Sequence, residues 1–242
     1  MPITAQDHTN TAAEEAKWLE VAAEEKARSV VRLSPVAVKT VVDIGAGSGA
    51  VLSALDRAGF ADRYWACEPS TLYAEIPRIG RLVDAENKTF DEAFGEMTFD
   101  LAILSHVVEH LLTPAVLIAR ALARARFVII EVPLDGSPAG NSRSWIRKQR
   151  GVARLDNEAG HVQFFSRRSA QELVTHSGGV VDGVHGYFPR AAYAALAGNR
   201  LQRIVLKVAR FEALGRLYHE HYAMLCSKRE LDDWHHIYAK PV

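Results

Sequence analysis

The chain has 242 residues, of which 48% are hydrophobic and 24% charged, with 29 Lys and Arg against 29 Asp and Glu. That is enough apolar material for one large domain, or one domain with insertions, and zero formal net charge leaves no global field to draw it to nucleic acid or an acidic membrane. MPITAQDHTN lacks the basic and apolar regions of a signal peptide, no apolar run approaches a membrane span, and Cys67 and Cys226 read as buried thiols in a reducing cytoplasm.

Residues 1–10 carry no apolar period and are expected to fray. From 11 to 33 the apolar positions Trp18, Leu19, Ala22, Ala23, Ala27, Val30 and Val31 fall at helical spacing, and Ser34-Pro35 ends the segment. A strand is expected over 38–44, a helix over 50–58 with Gly59 as its stop, and a short strand over 64–67. A weak strand follows near 81–83, then a buried one over 99–104. Val107 to Leu112 is read as the start of a helix that continues past Thr113-Pro114 to Ala125. Phe127–Val132 is a further buried strand, and 134–160 is a polar insertion carrying Arg143, Trp145, Arg147, Lys148, Arg150 and Arg154. A helix over 169–177, a strand over 180–188, a helix over 190–214 and a last strand over 221–226 complete the pattern. Strands alternating with helices, each strand a short continuous apolar run, indicate an α/β fold: a mainly parallel sheet covered on both faces.

In such sheets ligands bind beyond the carboxyl ends of the strands. The polar residues expected there are the Gly45–Gly49 loop, Glu68, Asp84, Ser105, His106 and Glu131. The loop, VVDIGAGSGA at 41–50, places three glycines between a strand and a helix N-terminus, where the main chain can approach a ligand closely. Its spacing fits a dinucleotide fingerprint, a loop for S-adenosylmethionine (SAM), or a plain structural turn. The absence of a following Gly-Lys-Ser/Thr removes a P-loop. Asp43, a carboxylate inside an apolar strand, is costly to bury alone and is expected to meet a polar ligand group or a satisfied network. Glu68, about 20 residues beyond the loop, is placed to accept ribose hydroxyls, which supports a nucleoside without choosing NAD or SAM.

His106-Val-Val-Glu109-His110 also matches H-x-x-E-H, a zinc-protease pattern. On a helix its histidines would share a face. However, His106 stands where a strand ends, no separate downstream motif supplies a further ligand, and the glycine loop would go unexplained. No metal is expected on this reading.

Together the acid–glycine loop, Glu68 and SHVVEHLLTP at 105–114 resemble the class I SAM-dependent methyltransferases. The likeness is strongest to small-molecule methyltransferases with an SHVLEHL-like segment and a GHV-x-FFS segment, here GHVQFFS at 160–166. SAQELVTHSGG at 169–179 resembles the helix that follows, so the likeness spans about 38–185. It implies a doubly wound, seven-stranded Rossmann-like sheet over 37–242, with an N-terminal helical cap at 1–36 and insertions near 134–160 and 190–214. It also implies SAM as cofactor and S-adenosylhomocysteine as product. Gly45, Ala46 and Gly47 would wrap the methionine part, Asp43 would lie near its ammonium, Glu68 with Pro69 would hold the ribose, and Asp84 or Ala85 would meet the adenine. Ser105 and His106 would face the sulfonium.

The implied reaction is methylation of a small-molecule hydroxyl or amine, in secondary metabolism or sugar modification. His106, then His161, then His110 are the candidate general bases, since histidine titrates near neutral pH. Glu131 is a candidate for the acceptor. The basic run at 143–154 is a candidate for an anionic substrate group or a solvated face, Trp18 and Trp145 could roof the pocket, and Tyr187, Phe188 and Tyr193 suit a ring-bearing substrate. A homodimer face or a lid is expected of 190–214. The competing functions are an NAD-dependent oxidoreductase, which lacks here a Tyr-x-x-x-Lys, and a non-catalytic nucleoside-binding scaffold. No Asn-Pro-Pro-aromatic segment for a flipped base follows the fourth strand, and no nucleic-acid or membrane partner is expected.

Overall fold

The apolar runs become the strands of one sheet in the computed structural model, which describes residues 20–34, 37–134, 161–187 and 221–229. In chain order the elements are α1 (described over 20–33), β1 (Thr40–Ile44), α2 (Ala50–Arg57), β2 (Arg63–Cys67), β3 (Leu82–Glu86), α3 (Phe90–Phe94), β4 (Phe99–Ser105), α4 (Pro114–Arg124), β5 (Ala125–Pro133), α5 (Arg167–His176), β6 (Gly179–Tyr187) and β7 (His221–Lys228). The strands lie in the order β3-β2-β1-β4-β5-β7-β6. The first five are parallel, and β7 runs antiparallel to both β5 and β6. The doubly wound, mainly parallel sheet of seven strands is thus observed as expected. Its order reverses between β1 and β4, which makes the carboxyl ends of those strands the switch point where such sheets open a crevice.

Alternation along the strands sends side chains to two buried layers. Val41, Tyr64, Leu101, Ile103 and Ile129 pack on one face with Ala27 and Val30 of α1 and with Leu52 and Leu55 of α2. Val42, Ile44, Trp65, Leu104, Ile130 and Met224 pack on the other with Phe90 and Phe94 of α3, Ile118 and Leu122 of α4, and Val174 of α5. Each fully buried aliphatic side chain is worth about 1.5–3 kcal/mol, so the two layers are the main source of the sheet's stability. Cys67 and Cys226 are buried free thiols in these layers, as expected, and burial pushes both up to about 12.

Four local expectations need correction. Val31 does not join the buried stripe of α1 but is largely exposed, because Ala23, Ala27 and Val30 carry the buried face and Val31 lies about 100° round the helix from Val30. β3 runs three residues beyond Val83, to Glu86, so Asp84 lies not at the carboxyl end but mid-strand opposite Trp65, with its side chain exposed. The helix expected from Val107 is two pieces: a single 3-10 turn at Val108–His110, then extended backbone at Leu111, then α4 with Pro114 in its first turn. Proline suits that position because its missing N–H has no intrahelical partner there. Glu131 does not end β5, which continues to Pro133. The expectations for 1–10, Trp18, the basic run with Trp145, Phe188, Tyr193 and the 190–214 helix fall outside the described residues.

Candidate active site

The glycine loop leaves the carboxyl end of β1 and is tied to β2 by its own main chain. The N–H groups of Gly45 and Ala46 both donate to the Cys67 carbonyl, at 2.8 and 3.2 Å. Gly45 takes a φ of 74°, and a Cβ there would lie 2.6 Å from Val107 Cγ2, so the loop packs directly on the segment after β4. Gly47 has a φ of 55°, and a Cβ built on it would meet nothing within 4 Å. The loop is therefore closed against protein at Gly45 and open at Gly47.

Glu68 braces the loop. Its Oε2 accepts from the Gly47 N–H at 2.9 Å, and its Oε1 accepts from the Ser70 N–H at 2.8 Å. Each oxygen keeps a further lone pair. Pro69 follows it, exposed. Asp43 is buried within β1, between Ala66 of β2 and Ile103 of β4. Burial pushes its carboxyl up to about 7, Lys26 of α1 opposes that rise, and Glu68 adds to it. Ala46 is half-buried at the loop's turn.

These features fit the nucleoside expected from the sequence. The open side of Gly47 gives a ligand access to main chain, the carboxylate of Glu68 stands beside it, and Asp43 is a buried acid poised to ionise beside a cation. Asp84, mid-strand and exposed, and Ala85, half-buried, belong to β3 two strands away from β1.

Across the switch point, β4 ends in Ser105, and His106 turns the chain with a left-handed φ of 58°, uncommon for a residue with a Cβ. Its N–H donates to the Glu131 carbonyl at 3.0 Å. This backbone turn aims the imidazole at a buried polar group that the sequence did not assemble. His106 Nε2 lies 3.0 Å from His221 Nδ1 and 3.2 Å from Glu131 Oε1, and His221 Nδ1 lies 3.2 Å from the same oxygen. The Tyr187 hydroxyl donates to Glu131 Oε1 at 2.9 Å. His106 Nδ1 lies 3.2 Å from Oε1 of Glu109, which is wholly buried.

Burial alone would raise the Glu131 carboxyl, but His106 and His221 outweigh it and hold the group ionised. Burial also opposes ionisation of Glu109, and His106 overrides it there too. Burial, helped by the neighbouring His106, pushes His221 down to about 4, so its ring is neutral at neutral pH.

The GHVQFFS segment docks on the same turn. The N–H groups of Val162 and Gln163 donate to the Glu109 carbonyl at 2.8 and 2.9 Å. His161 and His110 stand edge to face with ring centroids 4.9 Å apart. His161 is half-buried, and burial lowers its pKa against the pull of Glu109; His110 is exposed. The donor atoms of Glu109, His110 and His161 lie within 4.8 Å of one another. His106 and His110 do not share a helical face, because His106 is not helical. The three histidine candidates thus fall into two groups joined through His106 and Glu109.

Sequence reasoning missed His221 and Lys26, and it named Glu109 only within the H-x-x-E-H pattern. A histidine opening the apolar strand HYAMLC was the available signal for the first. Lys26 lies on α1 and acts electrostatically on Asp43, Glu131 and His221, which brings the N-terminal helix to the site.

A family profile described as a methyltransferase domain matches residues 18–181. Comparison with curated proteins gives no significant match. Among solved structures, a Haloferax volcanii methyltransferase complex with the Trm112 methyltransferase activator is similar at TM-score 0.63 and 15% identity, covering 94% of this chain and 98% of that one. A SAM-dependent methyltransferase from Archaeoglobus fulgidus is similar at TM-score 0.56 and 15% identity, covering 85% and 94%. Magnesium protoporphyrin IX methyltransferase from Synechocystis, solved with bound S-adenosylhomocysteine, is similar at TM-score 0.58 and 9% identity, covering 95% and 90%. At these identities the solved structures establish the fold, and the family profile, which spans most of the chain, establishes the class. The chain belongs to the methyltransferase-domain family and is a SAM-dependent methyltransferase.

Proposed function

We propose that the chain methylates a small molecule at a hydroxyl or amine, with the acceptor seated between the glycine loop and the His106 group. The observation that carries this reading is the packing of Val107 on Gly45, which sets the cofactor loop and the polar group at the end of β4 side by side at the switch point. SAM supplies an already activated methyl group, so the protein's own work is alignment and proton handling. Gly45, Ala46, Gly47 and Asp43 hold the methionine end, Glu68 with Pro69 holds the ribose, and the Asp84–Ala85 edge of β3 lies on the adenine side. Ser105 and His106 stand at the methyl end.

His106 is the first candidate to orient the acceptor and take its proton. Ionised Glu131 stabilises the positive charge the imidazole then carries. His161, kept neutral by burial, is the next candidate and His110 the third. The protoporphyrin methyltransferase, a neighbour in fold, acts on a small molecule by its name, which supports the substrate class. Formal net charge of zero supports the exclusion of nucleic acid.

A screen of hydroxyl- and amine-bearing acceptors, read by product mass, tests the substrate class. A methylated product from such a compound is expected, and activity confined to nucleic acid or protein contradicts it. On the acceptor found, His106→Ala is expected to lower kcat about 100-fold or more while SAM affinity changes less than about threefold. Unaltered turnover removes His106 from the reaction.

A further inference from the structure

We propose that His106, Glu131 and His221 form a binding site for a first-row divalent metal ion of the zinc or iron(II) class. Their donor atoms, His106 Nε2, His221 Nδ1 and Glu131 Oε1, make a closed triangle with edges of 3.0, 3.2 and 3.2 Å. Ligands bound at about 2.0–2.2 Å around one ion are spaced about 2.9–3.4 Å apart, depending on coordination number. The triangle therefore already has the dimensions of one face of a coordination polyhedron.

Hydrogen bonding does not account for it as well. Each ring nitrogen offers either one proton or one lone pair, so two nitrogens cannot satisfy three edges. Oε1 is approached by Tyr187, His221 and His106 together, while the buried Oε2 of Glu131 has no hydrogen-bond partner among the described residues. The same holds for the buried Oε2 of Glu109 and for Ser105 Oγ. Unpartnered buried polar atoms are rare and costly, and here they collect around one histidine. A single cation satisfies all three edges at once.

The surroundings suit a metal in other ways. Glu109 lies against His106 Nδ1, the second nitrogen of a ligating ring, where a carboxylate fixes the tautomer and strengthens the ligand. Two carboxylates, Glu109 and Glu131, outweigh the nearby charge of Lys26. Glu131 and His221 are 1% and 8% exposed in their side chains and His106 is 20% exposed, so the site opens on the His106 side, toward the acceptor. Three protein ligands leave positions for water or an acceptor oxygen, the pattern of a reactive site rather than a structural one. The H-x-x-E-H motif is not this site: its first histidine is shared, but the second ligand histidine is His221, from the far end of the chain, and not His110.

This inference rests on the proposed function in one respect only. A hydroxyl on the ion would be easier to deprotonate, and His106 would then serve as ligand in place of base.

The test uses the full chain after chelation and dialysis. Co²⁺ is titrated by visible absorption, Zn²⁺ by competition, and SAM affinity is measured on the same samples as a check of folding and of the methyltransferase site. One Co²⁺ per chain, displaced by Zn²⁺, is expected. His221→Ala and Glu131→Gln are each expected to weaken Zn²⁺ binding about 100-fold or more with SAM binding retained, and Glu109→Gln to weaken it about 10-fold. His110→Ala and His161→Ala are expected to leave it unchanged. Absence of ion binding in protein that binds SAM overturns the proposal. So does wild-type Zn²⁺ affinity in either ligand variant, or loss of the ion in His110→Ala or His161→Ala, which would place it in the other group. Loss of SAM binding by Asp43→Ala with the metal retained shows that the two sites report separately.

Discussion

Asp43 carries the clearest energetic conflict in the molecule. Burial holds its carboxyl near 7, whereas an unfolded chain ionises it near 3.8. Between those values the folded chain binds a proton that the unfolded chain has lost, so stability contributed by this group falls as pH rises and levels off above about 7. The full difference is worth roughly 4 kcal/mol at most. Asp43→Asn is expected to remove that slope. Urea unfolding should show the variant gaining on wild type by about 2–4 kcal/mol between pH 4 and pH 8, and parallel curves would contradict the account. Placed at the SAM ammonium as proposed, the same group would make SAM binding pH-dependent. A cationic ligand favours ionised Asp43, so wild-type affinity is expected to fall as pH drops below about 7, by up to about tenfold per unit, with a flatter profile in Asp43→Asn.

Two loop glycines separate stability from function in a complementary way. Gly45→Ala meets Val107 at 2.6 Å and a φ of 74°, so it is expected to cost about 2–4 kcal/mol in unfolding free energy. Gly47→Ala has a similar backbone penalty but no clash and is expected to cost about 1–2 kcal/mol, while weakening SAM binding by blocking the open side of the loop. Equal stability losses with unchanged SAM affinity would mean that Gly47 is only a turn residue.

Among the elements, those with local signals were legible. β1 with its loop, β4, β5 and α5 follow from short apolar runs bounded by glycine, serine or proline. α5 starts after Ser166, whose hydroxyl oxygen accepts from the Ser169 N–H at 3.1 Å, so Ser166→Ala is expected to cost about 1 kcal/mol, measurable by chemical denaturation. No loss would mean that the cap is idle.

The break after β4 was not legible as a break, because Leu111 and Leu112 extend the apolar pattern straight through Thr113-Pro114. Only the left-handed turn at His106 and the extended backbone at Leu111 show that α4 begins afresh. β3 was marked too short because none of its side chains is buried and they alternate weakly. The polar group around His106 depends on register. Glu131 faces His221 only because β7 runs antiparallel to β5 with Pro133 opposite His221, and Tyr187 joins because β6 pairs with β7 in turn. Ninety residues separate Glu131 from His221 in the chain. A pairing at that distance leaves no local trace.

For the molecule as a whole, the strand order brings four separate segments to one edge. The loop after β1, Glu68 after β2, His106 after β4 and Glu131 in β5 all meet there, and β7 and α1 add His221 and Lys26 from the two ends of the chain. Among the described residues no helix is long and apolar enough to cross a membrane. The proposed cofactor half of the site has a local signal in the sequence because a nucleoside asks for the same few groups at fixed spacing along one β-α-β unit. The proposed acceptor half has none, since it is assembled by long-range packing and such halves differ with substrate. The central claim is that the β1 loop, Asp43 and Glu68 together hold SAM, and calorimetric titration of SAM tests it most directly. The account predicts binding by the wild-type chain and a loss of about tenfold or more in both Asp43→Ala and Glu68→Ala, with both variants folded. Wild-type affinity in both would contradict it.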